Sequence, residues 1–330
     1  MELYLPNGYI NMEAVLAASS PIIMVIGARG CGKTYGTLKA LAGKELFIYF
    51  RRTQRIVELI TDPALHIFKR FNTDTGREIR PEYSKGIGRF YENDKLIGYA
   101  AALSTFASVR GFDGSDCTVC VYDEFIPEPT ERLTFNAYTA LLNAYETINR
   151  NRELEGRPPL KLLLLSNSDR IYSDIVAGFG VGDKLLYMQE TGTEELQASP
   201  ELLLIRPRGE TFEEEKAKTA IYRAAAGGSF ADVALHNLFP IEDRQRVGIR
   251  PLKEYKAVAM IHGMIIYRHK TDGSYYVTDK LSGAPKAYDA TEADRRRFLR
   301  EQAGVWRAHQ RRKVYFSGID IQTRFKDLYE

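Results

Sequence analysis

Two short stretches of the sequence combine residue types that chemistry on a phosphate requires. In the first, Gly27 is followed after four residues by Gly32, Lys33 and Thr34. This is the spacing of a phosphate-binding loop, in which backbone amides surround a β-phosphate, the lysine reaches the β- and γ-oxygens, and the hydroxyl ligates Mg²⁺. The residues predicted to bind ATP with Mg²⁺ are Gly27, Ala28, Arg29, Gly30, Cys31, Gly32, Lys33 and Thr34.

The second stretch is CTVCVYDEF, an apolar run that ends at Asp123 and Glu124. A carboxylate at the end of a strand next to a phosphate loop can hold Mg²⁺, and the following one can orient a water for attack on the γ-phosphate. A kinase gains nothing from a water-orienting glutamate, whereas an ATPase needs one. We therefore predict that Asp123 is a metal ligand and that Glu124 is the catalytic base.

Further polar residues follow the apolar run KLLLLSNSD, where Ser166 and Asn167 are suited to sense the γ-phosphate. Arginines also matter, because phosphoryl transfer spreads negative charge over the γ-oxygens. Arg110, Arg150 and Arg152 are candidates, although most arginines are solvated surface residues.

The elements that must position these residues alternate between apolar runs and helical stretches, which favours a parallel sheet with helices on both faces. The predicted helices are Thr34–Ala42 and Ala137–Asn149. Because the Leu46–Phe50 run separates the loop from the acidic pair, we also predict an additional strand between their two strands. The predicted strands are Ile22–Ile26, Leu46–Phe50, Val119–Tyr122, Leu160–Leu165 and Lys184–Met188.

Two hairpins and a change of composition divide the chain. Gly86–Ala102 predicts a hairpin that turns at Asn93-Asp94, and apolar runs flank a second turn at Thr271-Asp272-Gly273. A basic helix, capped by Thr291, follows. We predict an ATPase domain over residues 1–204, a linker over 205–240, and a small α+β domain over 241–330.

Composition sets the class of protein. The chain has 330 residues, 44% of them hydrophobic, and three cysteines. The spacing of Cys117 and Cys120 lacks a second ligand pair for zinc. No apolar run approaches the roughly 18 residues that span a bilayer, and the N-terminus does not resemble a signal peptide. We expect a soluble, cytosolic protein with reduced thiols.

Charge is distributed unevenly. Residues 241–330 contain 19 Lys and Arg against 12 Asp and Glu, whereas residues 1–240 contain 27 against 31. A basic C-terminal part suits binding to nucleic-acid phosphates, which is insensitive to base sequence, but a solvated surface explains it equally well. The candidate contacts are Lys253, Lys256, Arg295, Arg296, Arg297, Arg311, Arg312 and Lys313.

Five motifs, in order and spacing, resemble the DNA-packaging ATPases of phi29-like phages over residues 1–170. They are VIGARGCGKT, YFRR at Tyr49–Arg52, LS with VYDEF at Leu103–Ser104 and Val121–Phe125, ALLN with RNRE at Ala140–Asn143 and Arg150–Glu153, and LLSN at Leu164–Asn167.

The resemblance implies a P-loop ATPase of the additional-strand, catalytic-glutamate type that forms a homomeric, pentameric ring. Such a ring moves double-stranded viral DNA into a preformed capsid and is docked to the portal through a packaging RNA, in the host cytoplasm. It implies that Arg150 acts in trans as an arginine finger and that Arg110 is a second trans-acting residue. The Pro-rich insertion Glu155–Pro159 leaves the choice between Arg150 and Arg152 open.

The resemblance also implies that the C-terminal domain is like an RNase H-type nuclease that has lost activity. Four aspartates there are scattered, and no spacing demonstrates a two-metal cluster. A terminase-like motor with an active nuclease, a helicase and a nucleotide-dependent binding switch remain the alternatives. The four aspartates are Asp272, Asp279, Asp289 and Asp320.

Overall fold

The computed structural model describes residues 1–109, 111–127, 135–168, 171, 173–224, 237–239 and 246–329. The chain forms two compact units. Unit 1 comprises Met1–Asp169 and Tyr187–Phe239, and unit 2 comprises Arg170–Leu186 and Pro240–Glu330. Residues 170–186 thus cluster with the C-terminal part of the chain, although they follow directly on the strand that carries Ser166.

Within the described residues, unit 1 contains a nine-stranded sheet in the order β3-β4-β5-β2-β6-β7-β1-β9-β8. The six strands from β5 to β9 in that order are parallel, and both edges are antiparallel. The strands are β1 (Ile22–Ile26), β2 (Phe47–Arg51), β3 (Ile79–Ser84), β4 (Ile87–Glu92), β5 (Lys95–Ala102), β6 (Val119–Asp123), β7 (Lys161–Ser166), β8 (Glu195–Gln197) and β9 (Leu202–Ile205).

Helices accompany this sheet, as predicted for an α/β fold. The predicted helix Ala137–Asn149 is confirmed at both bounds. The helices up to residue 224 are α1 (Met12–Ala17), α2 (Lys33–Leu41), α3 (Gln54–Ile60), α4 (Lys69–Thr75), α5 (Ala137–Asn149), α6 (Asp174–Gly178), α7 (Gly182–Thr191), α8 (Glu210–Ala217) and α9 (Ala220–Ala224).

An additional strand does lie between the loop strand β1 and the carboxylate strand β6. It is β7, which pairs with both, whereas β2 lies on the far side of β6. The predicted additional strand is therefore confirmed. Chain order fixes which strands exist, but strand order depends on where each crossover packs against the sheet.

The predicted strand Lys184–Met188 is wrong, because these residues belong to α7. Leu185 and Met188 are fully buried, while Tyr187 between them is 53% exposed. Burial at positions i and i+3 is the helical period, which a short, continuously apolar run conceals. In contrast, the hairpin of β4 and β5 is confirmed, with Asn93 and Asp94 both at positive φ in its turn.

Unit 2 contains a five-stranded sheet in the order β13-β10-β11-β12-β14, and the predicted hairpin at Asp272 joins β11 to β12. Its remaining elements are β10 (Tyr255–Ile261), β11 (Met264–His269), β12 (Tyr275–Thr278), β13 (Lys286–Tyr288), α10 (Glu292–Glu301), α11 (Ala303–Gln310), β14 (Val314–Phe316) and α12 (Ile319–Asp327). Side chains of α10, α11 and α12 form one core with this sheet.

The predicted basic helix is present but divided at Gln302 into α10 and α11. Thr291 caps α10, since its hydroxyl accepts a hydrogen bond of 3.2 Å from the amide of Asp294. This small α+β unit agrees with the predicted fold class. No helix in the described parts of the chain is long and apolar enough to cross a membrane.

Candidate functional site

The predicted phosphate-binding loop connects β1 to α2, which begins at Lys33. Gly30 and Gly32 have φ of 80° and 96°, in the left-handed region that glycine adopts without strain. A Cβ on Gly27 would lie 3.0 Å from both Cys31 Sγ and a side-chain carbon of Pro207. The loop therefore requires glycine for its backbone conformation and for close packing.

Lys33 lies across this loop. Its ammonium donates hydrogen bonds to the carbonyl oxygens of Gly27 and Ala28, both at 2.8 Å, and to Asn167 Oδ1 at 3.0 Å. The Lys33 side chain is buried, with 7% of its surface exposed. Asn167, which directly follows β7, thus meets the loop lysine, as expected of neighbouring parallel strands that end at the same edge.

Asp123 lies at the carboxyl end of β6 and is 3% exposed. Its Oδ2 accepts hydrogen bonds from Thr34 Oγ1 at 2.9 Å and from the hydroxyl of Tyr49 on β2. Burial, together with the neighbouring charge of Asp123, raises the pKa of Tyr49 well above its usual value. Tyr49 therefore remains a protonated donor at physiological pH.

Glu124 differs from Asp123 in both exposure and backbone conformation. Its side chain is 47% exposed, and its φ of 57° is left-handed, a costly conformation for glutamate. Its amide donates to Asp123 Oδ1 at 2.9 Å. The two carboxyl groups consequently have separate surroundings, one buried beside Thr34 and the other open to the cleft.

Two arginines at the end of β2 face these carboxylates. Arg51 donates a hydrogen bond to Glu124 Oε2, and its other terminal nitrogen lies 3.5 Å from Asp123 Oδ2. Arg52 lies 4.0 Å from Glu124 Oε2. No role was predicted from the sequence for Tyr49, Arg51 or Arg52. The available signal was the motif YFRR, which places two cations at the end of an apolar strand.

Ser166 has a structural partner. Its hydroxyl accepts a hydrogen bond of 3.1 Å from the amide of Ile126, and the amide of Phe125 donates to the carbonyl of Leu165 at 3.2 Å. These contacts hold the backbone that follows Glu124. Both Ser166 and Asn167 line the cleft, but Asn167 is the one that contacts Lys33.

A cleft of about 900 Å³ lies above the loop. Its walls include Arg29, Lys33, Thr34, Asp123 and Glu124. The sequence motifs do not predict the remaining wall, which comes from the N-terminal segment and from α2 and α4. These additional lining residues are Leu5, Asn7, Tyr9, Ile10, Tyr35, Gly36, Lys39, Arg70 and Asp74.

Tyr9 is the aromatic residue of the N-terminal segment in this wall. It is 41% exposed, and a Cβ on Gly32 would lie 3.0 Å from its ring. The adjacent amide of Ile10 donates to the carbonyl of Cys31 at 3.0 Å, which fixes the segment on the loop. A partly exposed ring beside a phosphate loop is suited to stack on a planar ligand group.

The candidate arginines are in different surroundings. Arg152 is 7% exposed and donates to the carbonyls of Cys117 and Ser115 in its own chain. Arg150, at the C-terminus of α5, is half-exposed and pairs with Asp113 at 3.2 Å. Neither lines the cleft among the described residues. Arg110 lies outside the described residues.

The basic candidates of unit 2 also differ from one another. The three on α10 form ion pairs on their own helix: Arg295 and Arg296 with Glu292, and Arg297 with Glu301. Their positive charge is partly neutralised. The other five are exposed: Lys253, Lys256, Arg311, Arg312 and Lys313.

Acidic groups in unit 2 are dispersed. Asp272 accepts from the amide of Ser274 in a hairpin turn, and Asp320 accepts from the amide of Gly182. In the described ranges, no three His, Cys, Asp or Glu side chains gather as a metal site would require. The likeness to an RNase H-type nuclease stays a prediction.

A family model described as podovirus DNA encapsidation protein (Gp16) matches residues 6–294. The chain belongs to this family. The match extends across both units, whereas the motifs found in the sequence stop near residue 170. The Gp16 family also agrees with the predicted resemblance to the packaging proteins of phi29-like phages.

Individual relatives agree with the Gp16 assignment. The chain is 26% identical to the DNA packaging protein of Bacillus phage phi29 over 239 residues, which are 70% of this chain and 66% of that protein. It is 29% identical over 222 residues to the DNA packaging protein of Bacillus phage B103, covering 65% and 63%. The matched region thus spans just under two thirds of each relative.

Solved structures share the fold over nearly the whole chain. The Phi-28 gp11 DNA packaging motor superposes with a TM-score of 0.67 at 20% identity, covering 97% of this chain and 96% of that one. The bacteriophage Phi-29 viral genome packaging motor assembly gives 0.65 at 17% identity, covering 97% and 98%. These similarities establish the fold of both units.

Proposed function

We propose that this protein is an ATPase that moves double-stranded viral DNA into a preformed capsid. The observation that carries the proposal is the contact between Thr34 and Asp123 at 2.9 Å, beside Lys33 and in front of Glu124. It brings the two sequence motifs into one cleft. The relatives reported above are DNA packaging proteins, which supports DNA as the substrate that the ATPase moves.

The cleft is suited to a nucleoside triphosphate with its metal. The Thr34 hydroxyl and the Asp123 carboxylate are hard oxygen ligands that fit Mg²⁺. When bound, the ion would neutralise charge on the phosphate oxygens. Lys33 and the loop amides would hold the phosphates, Tyr9 would be available to stack on the base, and Asn167, which contacts Lys33, would be suited to sense a γ-phosphate.

Glu124 is the group that we assign to hydrolysis. Its side chain is 47% exposed and lines the cleft, although it also pairs with Arg51 on the neighbouring strand. As a general base it would orient a water and accept its proton. Asp123 is buried among donors and is therefore assigned to binding.

The proposal includes assembly of the protein into a ring and its binding to partners. We assign the trans-acting finger to Arg150 and not to Arg152, because Arg150 is half-exposed while Arg152 is buried against carbonyls of its own chain. Arg110 keeps its predicted trans-acting role. A pentameric ring, a portal, a packaging RNA and host-cytoplasmic assembly at the capsid belong to the same proposal.

We propose that ATP chemistry belongs to residues 1–204, that 205–240 is a linker, and that 241–330 binds nucleic acid. Among the basic candidates, we rank Lys253, Lys256, Arg311 and Lys313 above the three arginines of α10, whose charge is partly neutralised by acidic residues of the same helix, and Arg312 remains a candidate. Contacts to DNA phosphates predict affinity that falls with salt and does not depend on base sequence.

The deciding experiment measures ATP turnover with and without duplex DNA, on the full chain assembled with its capsid portal. The expected result is turnover that duplex DNA stimulates. A binding switch would show little stimulation, and a helicase would separate strands without transporting duplex. Failure of the assembled protein to hydrolyse ATP would overturn the proposal.

A further inference from the structure

Residues 237–239 form a short buried segment in unit 1, within the part of the sequence predicted to be a linker. Asn237 is 3% exposed and Phe239 is 1% exposed. Burial of this degree is unusual for asparagine, which is mostly found at the surface, and it indicates a specific polar contact.

That contact is with the strand that leads into the phosphate loop. Asn237 Nδ2 donates to the carbonyl of Ile26 at 3.0 Å and to the carbonyl of Pro207 at 3.3 Å. Both partners are acceptors, so the nitrogen and not the oxygen of the amide must face them. Ile26 is the last residue of β1, and the loop begins at the next residue, Gly27.

Neighbouring side chains hold the segment in this position. The Arg206 guanidinium donates to the carbonyl of Asn237 and lies over the Phe239 ring, 5.1 Å from its centroid. The amide of Phe239 donates to Gln189 Oε1 at 2.7 Å. Asn237 itself has a φ of 52°, which asparagine tolerates better than most residues.

We propose that Asn237 is a positioning residue for the phosphate loop. By fixing the Ile26 carbonyl, its amide sets the direction in which the chain enters the loop, and therefore where the loop amides and Lys33 meet the β-phosphate. The proposal rests on the proposed function, in that the loop binds a nucleotide.

The test replaces Asn237 by its nearest isostere, Asn237→Asp, and measures nucleotide binding at pH 8. Whether it is ionised or is kept protonated by burial, the new carboxyl cannot donate to both carbonyls as the amide does, so at least one hydrogen bond is lost. We expect the affinity for ADP to fall about tenfold, the ratio for one lost hydrogen bond. AMP, which has no β-phosphate, should bind as it does to the unchanged protein.

Steady-state kinetics give a second readout that a purely structural role would not produce. The KM for ATP should rise about tenfold while kcat stays within about twofold, because a displaced loop weakens binding of substrate and transition state alike. A general loss of folded protein would lower kcat and leave KM unchanged.

Asn72→Asp is the matched control. Asn72 also lies in unit 1, its Nδ2 donates to the carbonyl of Ile79 at 2.9 Å, and neither of these two residues lines the cleft. It should weaken the fold without changing ADP affinity. If Asn237→Asp does not fold, Arg206→Lys loosens the same segment while leaving Asn237 intact. This variant should also lower the affinity for ADP without lowering that for AMP.

The possible failures are distinguishable. If the unchanged protein does not bind ADP, the proposed function fails. The positioning role is overturned if the unchanged protein binds ADP and the folded Asn237 and Arg206 variants bind it equally well. It is also overturned if these variants lose affinity for AMP and ADP to the same extent. In both cases the proposed function stands.

Discussion

Arg51 and Glu124 form a hydrogen-bonded ion pair between the ends of the neighbouring strands β2 and β6. The Arg51 side chain is 12% exposed, whereas the Glu124 side chain is 47% exposed. The same guanidinium lies 3.5 Å from Asp123 Oδ2. One buried cation therefore faces both members of the acidic pair. Its removal would leave the buried carboxylate of Asp123 with less positive charge nearby.

Arg51→Ala should lower the free energy of unfolding by about 2 kcal/mol, because a buried carboxylate loses a charged neighbour. Urea denaturation measures this loss. The control is Arg80→Ala, which removes an ion pair with Asp94 whose partners are 66% and 90% exposed, and should change stability little. Equal losses in the two variants would contradict a structural contribution from Arg51.

Glu124→Gln should reduce ATP turnover by about a hundredfold or more, since an amide cannot accept the proton of the attacking water. ATP binding should persist, and DNA transport should cease. Glu92→Gln is the control, because Glu92 also pairs with an arginine, Arg77, but outside the cleft. Turnover in Glu124→Gln close to that of the control would remove Glu124 from the reaction.

Thr34→Val should raise the Mg²⁺ concentration needed for half-maximal ATP turnover, because valine keeps the shape of threonine but lacks its hydroxyl ligand. Nucleotide binding without Mg²⁺ should change little. The control lies on the same helix: Thr37 donates to the carbonyl of Lys33 at 2.8 Å, so Thr37→Val removes a hydroxyl from another position. An identical Mg²⁺ requirement in both variants would argue against a metal ligand at Thr34.

Mixing Arg150→Ala subunits with Glu124→Gln subunits should recover some ATP turnover, although each variant alone is inactive. Recovery arises if an intact Arg150 from one subunit serves an intact Glu124 in the next. Arg152→Ala should instead destabilise the fold, because it leaves the carbonyls of Ser115 and Cys117 without their donor. No recovery in the mixture would indicate that Arg150 acts within its own subunit.

Acid should destabilise unit 2 through His309. Burial, with a smaller effect of the facing cations Arg246 and Lys326, lowers the pKa of His309 to about 4. His309 in the unfolded chain has a pKa of about 6.5, so between this pH and about pH 4 it binds a proton in the unfolded chain but not in the folded one. The contribution of His309 to the free energy of unfolding should therefore fall as the pH decreases through this window, while Asp320, whose pKa burial raises to about 6, contributes in the opposite direction.

The chain's single tryptophan, Trp306, stacks on His309 with 5.0 Å between ring centroids, so its fluorescence reports unfolding of this unit. Urea titrations at pH 7 and pH 5 supply the comparison. His309→Gln should lose less stability on acidification than the unchanged protein. An equal loss would assign the acid sensitivity to other groups.

Local sequence predicted the elements whose patterns are long or carry turn residues. Helix α5 was predicted at both bounds, and the β4–β5 hairpin was predicted from Asn93-Asp94, which tolerate positive φ. The prediction failed at Lys184–Met188, where a short apolar run fits a strand and a buried helix face equally well. Only packing decided between them.

The sequence by itself determined the chemistry in Gly27–Thr34 and at Asp123-Glu124, because glycine conformations, a lysine and adjacent carboxylates at fixed spacing are local properties. Tertiary structure alone decided that β7 separates their strands, that Arg51 and Tyr49 face the acidic pair, and that Asn237 reaches the carbonyl of Ile26. These relations join residues distant in the chain. They depend on how crossovers order the strands of the sheet, and this order cannot be predicted from the spacing of residues within a motif.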